Sequence, residues 1–419
     1  MTQIKEYING FINRSGTYVL FSTLASRVLS FIGSWIALQL IEAKELGVIL
    51  FAYGIIQFII PIGGFGLHQS LIRYGALLAS ENEKQQLFSY VLHKGVVASI
   101  AIILAVVGIG YFIPFQFDKT YTYISILSFS ILTVFILEII KIQFRLQHKN
   151  RLYALTEFWY SLLLMGLIFG LSFQYQGMGY VIALILSPLL TALFFIKKLK
   201  VKLRVKNNLE ITNLSFWKYG FFGGLSSLVT QLLILIDIIL IGYLIDDPVA
   251  VTHYRYVSII PFSLLFLPRV FITTDFVTFT EKIHQKDYIN KYIKNYMVFF
   301  GVVSILLVLF SYIFVEQILN IFGEEYTNYA DSFLILILGI TGIYIFRGLF
   351  GNLLSSIGKI KFNYYIISIA ILINIISNYY LIPTYGIKGA AITSAILMWF
   401  TGVFSWLSFL YFYKKNRYE

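Results

Sequence analysis

A chain of 419 residues that is 58% apolar, 18% aromatic and only 12% charged, with a mean hydropathy of +0.80, lies outside the range of water-soluble domains, in which about half the residues are apolar and a quarter charged. Its about 240 apolar residues suffice for about twelve membrane helices at roughly 20 residues each, which excludes a sizeable soluble catalytic domain, a nucleic-acid-binding module and an outer-membrane barrel with alternating strands. The net charge of +12 reports orientation in a membrane, and the absence of Cys removes disulfides, thiolate metal sites and cysteine nucleophiles together.

The first sixteen residues interleave Lys5, Glu6 and Arg14 with Ile4, Ile8, Phe11 and Ile12, which predicts a short surface helix and no cleavable signal. Apolar runs then predict spans at 17–41, 46–67, 95–114, 121–140, 152–173, 178–196, 220–245, 249–271, 295–315, 332–354, 362–382 and 389–413. Pro61 with Gly63, Gly64 and Gly66 closes the second span as a flexible segment. Pro188 interrupts the sixth span, and Pro261 and Pro268 fall in the eighth.

Counting Lys and Arg between successive spans tests this reading, because a missed span would mix the two sides. The side holding both termini carries 25 cations and the other only Lys44, Lys119 and Lys388, so both termini are expected in the cytoplasm. Seven of the 25 fall between Lys197 and Lys218, a basic stretch at the midpoint of the chain. It reads as a linker (197–219) between an N-terminal lobe (1–196) and a C-terminal lobe (220–419), with an anionic-lipid contact possible in principle.

The halves read as copies. Lys149, Arg151, Tyr175 and Gly179 recur as Lys359, Lys361, Tyr385 and Gly389 at a constant offset of 210. Six crossings per half give both copies the same orientation, so the expected fold is an all-α membrane protein of 12 helices in two lobes. A pseudo-two-fold axis along the membrane normal relates the lobes, with a central cavity between them. That is the architecture of alternating access.

Charged residues inside spans are the candidate functional residues, since each costs about 2.5–3.5 kcal/mol at the bilayer centre unless it faces water or a partner. Arg27, Arg255 and Arg347 are candidates for binding an anionic substrate, because guanidinium groups take phosphate oxygens bidentately. Asp237, Glu138 and Glu157 are the gating or ion-coupling candidates. Asp237 and Arg255 fall at similar depth on adjoining spans, which predicts an ion pair, and Arg269 at a span edge reads as an interface anchor. The sequence has no HExxH, GxSxG or GxxxxGK[ST] pattern and its five His are scattered, so neither enzyme chemistry nor a metal or other cofactor is expected.

The stretch INIISNYYLIPTYGIKGAAITSAI, Ile373–Ile396, resembles the late signature of the polysaccharide flippases of the multidrug/oligosaccharidyl-lipid/polysaccharide exporter superfamily. Segments from Glu45, Asp237 and Phe322 are similar to further elements of that family. The resemblance, to the O-antigen or capsule repeat-unit (Wzx-type) branch, implies a lipopolysaccharide- or capsule-pathway flippase of the bacterial inner membrane. It implies movement of an undecaprenyl-pyrophosphate-linked oligosaccharide to the outer leaflet through a cationic cavity, with H+ or Na+ as possible coupling ion and a pathway polymerase as possible partner. The competing readings are a multidrug and toxin extrusion cation antiporter, whose cavity needs acids, and a membrane polymerase or ligase, which would need a long outer loop.

Overall fold

The computed structural model describes residues 16–78, 80–199, 209–245, 247–269, 271–272, 279, 282–357 and 359–414. The surface helix expected over the first sixteen residues and most of the basic linker lie outside the described residues. Every regular element among them is helical: α1 Gly16–Leu40, α2 Ala43–Ile59, α3 Leu67–Leu77, α4 Glu81–Gly110, α5 Thr120–Leu127, α6 Phe129–Leu146, α7 Asn150–Ile196 and α8 Leu214–Leu244. These are followed by α9 Pro248–Leu264, α10 Lys286–Asn320, α11 Ala330–Gly342, α12 Gly348–Ser356, α13 Ile360–Tyr385 and α14 Ile387–Lys414. Among the described residues, ten helices are long and apolar enough to cross a membrane.

Helix ends follow local chemistry. At the start of α4, Ser80 Oγ accepts from the Glu83 amide at 3.1 Å while the Ser80 amide donates to Glu83 at 3.3 Å, a capping box. This cap lets α4 begin at Glu81, well before the apolar run expected to open at residue 95. At α9, the Asp247 side chain accepts from the Val249 amide at 2.9 Å and Pro248 occupies the first turn. α10 exposes Val298, Val302, Ile305, Leu306, Leu309 and Phe310, the pattern of a helix solvated by lipid.

The second span, expected to close at residue 67 with the Pro–Gly segment, continues past it. Residues Ile60–Gly66 form a short break with left-handed backbone at Gly64, Phe65 and Gly66, and α3 then carries the helix on, so the apolar run reaches Gly75. A Cβ on Gly66 would overlap the Gly220 carbonyl oxygen, so the break lets the backbone of α8 lie directly against it. Ser70 Oγ donates to the Phe216 carbonyl at 2.6 Å beside that contact.

The chain divides into two compact units, Met1–Leu235 and Ile236–Glu419, with the division inside α8. In the first, Leu71, Phe88, Val91, Phe135, Phe144 and Phe216 form the core; in the second, Tyr296, Phe300, Tyr344, Leu349, Phe350 and Phe409 do.

The offset of 210 recurs in the backbone of these units. The Lys149 amide donates to Phe144 at 2.8 Å, and the Lys359 amide to Leu354 at 2.9 Å. The expected fifth and sixth spans are one run broken at Gln176 (φ 47°, ψ −124°), and α13 and α14 are divided at Gly386 (φ 58°, ψ −140°). Three residues later, a Cβ on Gly179 would overlap the Leu171 carbonyl oxygen, and one on Gly389 would overlap that of Leu381. Each pair of helices turns back on itself through the same contact.

Candidate functional site

Asp237 sits in the apolar sequence LILIDIILIG of α8 and is 1% exposed. A buried carboxylate survives only when its oxygens are satisfied, and three neighbouring helices supply donors. From α9, Tyr254 Oη donates to Oδ2 at 2.6 Å. From α13, Asn374 and Asn378, one helical turn apart and so on one face, donate to Oδ1 at 3.1 and 2.8 Å. From α14, Ser394 Oγ donates to Oδ2. The cage is internally braced by Asn378 Nδ2 donating to Asn374 Oδ1 at 2.9 Å.

All four donors are neutral. The expected Asp237–Arg255 ion pair is not formed: Tyr254 takes the position facing α8, and its neighbour, about 100° further round the helix, is turned away. Arg255 is half-buried. Within the cage, Asn378 Oδ1 is buried without a hydrogen-bond partner. A negative charge ringed by amide and hydroxyl groups, with spare oxygen lone pairs nearby, can accept a small cation or a proton without help from a basic side chain.

Arg347 occupies the last position of a π-helical turn, Ile343–Arg347, between α11 and α12. The extra residue of such a turn re-aims the side chains that follow. Its Nη1 donates to Asn363 Oδ1 at 2.9 Å on α13 and to Ser405 Oγ at 2.5 Å on α14. Asn363 in turn donates to the Gly351 carbonyl at 2.6 Å and to Ser355 Oγ at 3.1 Å, and Ser405 Oγ donates to the Thr401 carbonyl at 2.7 Å. These partners orient the guanidinium and leave its charge uncompensated.

Glu138 and Glu157 are differently placed. Lys141, counted from sequence as a loop cation, lies within α6 at 7% exposure, and its Nζ is 2.5 Å from both Glu138 Oε1 and Glu157 Oε1. The two acids, the coupling candidates of α6 and α7, thus share one buried cation that bridges the two helices. Arg27 is exposed on α1. The second unit therefore holds Asp237 and Arg347 in separate polar clusters, and Arg255 belongs to neither.

Tyr254, Asn374, Asn378, Ser394, Asn363 and Ser405 went unrecognised as site residues in the sequence. The signal available was the pair of Asn one turn apart in the apolar stretch INIISNYY, since amides inside a membrane helix seek a polar partner on another helix.

The MatE family profile matches residues 223–380, the stretch that carries Asp237, Arg347 and both Asn. The chain is 32% identical to the capsular polysaccharide biosynthesis protein CapF of Staphylococcus aureus over 120 residues, a match spanning 28% of each chain. It is 25% identical to the membrane protein MJ1068 of Methanocaldococcus jannaschii over 396 residues, 85% of this chain and 77% of that one. Among solved structures it is similar to the lipid II flippase MurJ in an inward closed conformation, with TM-score 0.74, 19% identity, and coverage of 94% of this chain and 87% of that one. It is also similar to a single-residue variant of the MATE transporter VcmN of Vibrio cholerae, with TM-score 0.66, 17% identity, and coverage of 99% and 98%. The chain thus has the all-helical fold of the transporters of the MOP superfamily and is a multi-pass membrane protein.

Proposed function

We propose that the chain is a lipid flippase that moves an undecaprenyl-pyrophosphate-linked O-antigen or capsular repeat unit from the cytoplasmic to the outer leaflet of a bacterial plasma membrane. It works by alternating access of two six-helix lobes, with both termini in the cytoplasm. The observation that carries this reading is the charge balance inside the spans: among the described residues, Arg27, Arg255 and Arg347 have no carboxylate within ion-pairing distance, while the acids Glu138 and Glu157 are already held by Lys141. Uncompensated cations at membrane depth suit a diphosphate cargo. The similarity to CapF and to the MurJ structure supports the same direction.

Asp237 is the remaining acid, and its neutral cage suits the coupling cation, H+ or Na+. An inside-negative potential favours outward movement of the anionic cargo by about 2.3 kcal/mol per charge per 100 mV, and entry of a cation at Asp237 would add to that drive.

The second reading, a cation antiporter, is favoured by the MatE match at 223–380, with Asp237 then holding the exported cation. Reconstitution in liposomes with a pyrophosphate-linked lipid oligosaccharide, scoring leaflet exchange with and without a sodium or proton gradient, tests the proposal. Exchange that falls at least tenfold in Arg347→Met supports it. Absence of exchange together with gradient-driven efflux of an organic cation would replace it by the antiporter.

A further inference from the structure

We infer that the end of the second unit where α13 begins and α14 ends is a binding site for an acidic phospholipid, its phosphate held by lysines and one acyl chain laid in an adjoining trough. The inference stands apart from the transport reading, because it concerns equilibrium binding of a bilayer component.

The sequence contains no Asp or Glu between Asp331 and Glu419, a run that includes Arg347, Lys359, Lys361, Lys388 and Lys414. Lys388 lies near the opposite end, where it pairs with Asp331 at 2.6 Å. The other four fall toward the end where α13 starts and α14 finishes. Gly351 is the counterpart of Lys141 at the offset of 210, and a Cβ on Gly351 would lie 3.4 Å from the Arg347 guanidinium, so both units place a cation in the corresponding niche. The first unit supplies Glu138 and Glu157 to neutralise it; among the described residues the second supplies the neutral Asn363 and Ser405.

Beside Lys359, an open trough of about 580 Å³ between α13 and α14 is lined by Phe362, Leu407, Ser408, Tyr411 and Phe412. The Phe362 and Phe412 rings among them pack edge to face at 4.5 Å, and Lys359 Nζ lies 6.0 Å from the Phe412 ring centroid. Leu407, Tyr411 and Lys414 are spaced i, i+4, i+7, so the exposed stripe of α14 runs from apolar wall to ammonium. A soluble anion would have no use for the trough, and a neutral lipid none for the lysines. An anionic amphiphile uses both.

The test is native mass spectrometry of the purified full chain after exchange into matched phosphatidylglycerol or phosphatidylcholine. The wild type should retain phosphatidylglycerol selectively. Lys359→Gln combined with Lys414→Gln should weaken that retention roughly tenfold or more while leaving phosphatidylcholine unchanged, and Ser408→Trp, which fills the trough, should weaken it as well. Acylation of Lys359 and Lys414 in the wild type, mapped by peptide, should be slower in phosphatidylglycerol nanodiscs than in phosphatidylcholine ones, a readout independent of variant folding. Equal retention of the two lipids by the wild type, unchanged retention in both variants, or displacement of phosphatidylglycerol by equimolar inorganic pyrophosphate would each overturn the inference.

Discussion

The Asn378 side-chain nitrogen lies 2.8 Å from Asp237 Oδ1 and 2.9 Å from Asn374 Oδ1, so one amide ties the buried carboxylate of α8 to two successive turns of α13. Helix α8 is thereby tied to α13 at Asp237. Any change in charge at Asp237 acts on that attachment.

Asp237→Asn should keep the fold, because an amide of the same shape can exchange hydrogen bonds with Tyr254, Ser394 and the two Asn, yet it removes the negative charge. Leaflet exchange in liposomes should lose its dependence on an imposed cation gradient, with the unfolding midpoint in detergent little changed. Asn378→Leu, by contrast, strips a donor from an ionised group and should lower stability by about 1.5–3 kcal/mol, read as a lower midpoint. A gradient response of full size in Asp237→Asn would remove Asp237 from coupling.

Removing the cation from the α6–α7 bridge should be the more damaging change there. Lys141→Met leaves Glu138 and Glu157 facing one another without compensation, a loss of about 1–2 kcal/mol, less than for a fully buried pair because the acids are 40% and 32% exposed. The triple variant Lys141→Met, Glu138→Gln, Glu157→Gln should recover most of it. Thermal unfolding of the three proteins distinguishes this from a transport role: if both acids serve coupling, the triple variant would regain stability and still lose exchange.

The helix reversals at Gln176 and Gly386 give a stabilising substitution. Gln176 is exposed at φ 47°, ψ −124°, a region that costs a residue with a Cβ about 1–3 kcal/mol, and its counterpart at the offset of 210 is Gly386. Gln176→Gly should raise the unfolding midpoint and Gly386→Gln lower it. Identical midpoints for all three proteins would mean that the reversal carries no such cost.

Gly66→Ala should be poorly tolerated. Its φ is +69°, and the added methyl would overlap the Gly220 carbonyl oxygen, which cannot yield without moving α8. A loss of more than about 3 kcal/mol, seen as low yield and early unfolding, is expected. Gly386→Ala, also at positive φ but facing open space, should cost only about 1 kcal/mol.

The membrane class and most of the apolar runs were legible in the sequence, because lipid imposes long apolar stretches. Helix ends were less so: α4 starts fourteen residues before the apolar window expected at 95, since a capping box and polar first turns extend the helix beyond the part that lipid selects. Depth along a helix could be counted from the ends, and it brought Asp237 and Arg255 to one level. What it could not supply was rotation about the helix axis. A turn of about 100° per residue hands the contact to Tyr254 and points Arg255 elsewhere. In the same way Lys141 reads as a loop cation until α6 and α7 are packed, when Glu138 and Glu157 close on it from two helices. The sequence by itself determined that charges lie within the membrane. Only tertiary packing decided which of them are neutralised, because pairing depends on the facing of side chains across helices distant in the chain.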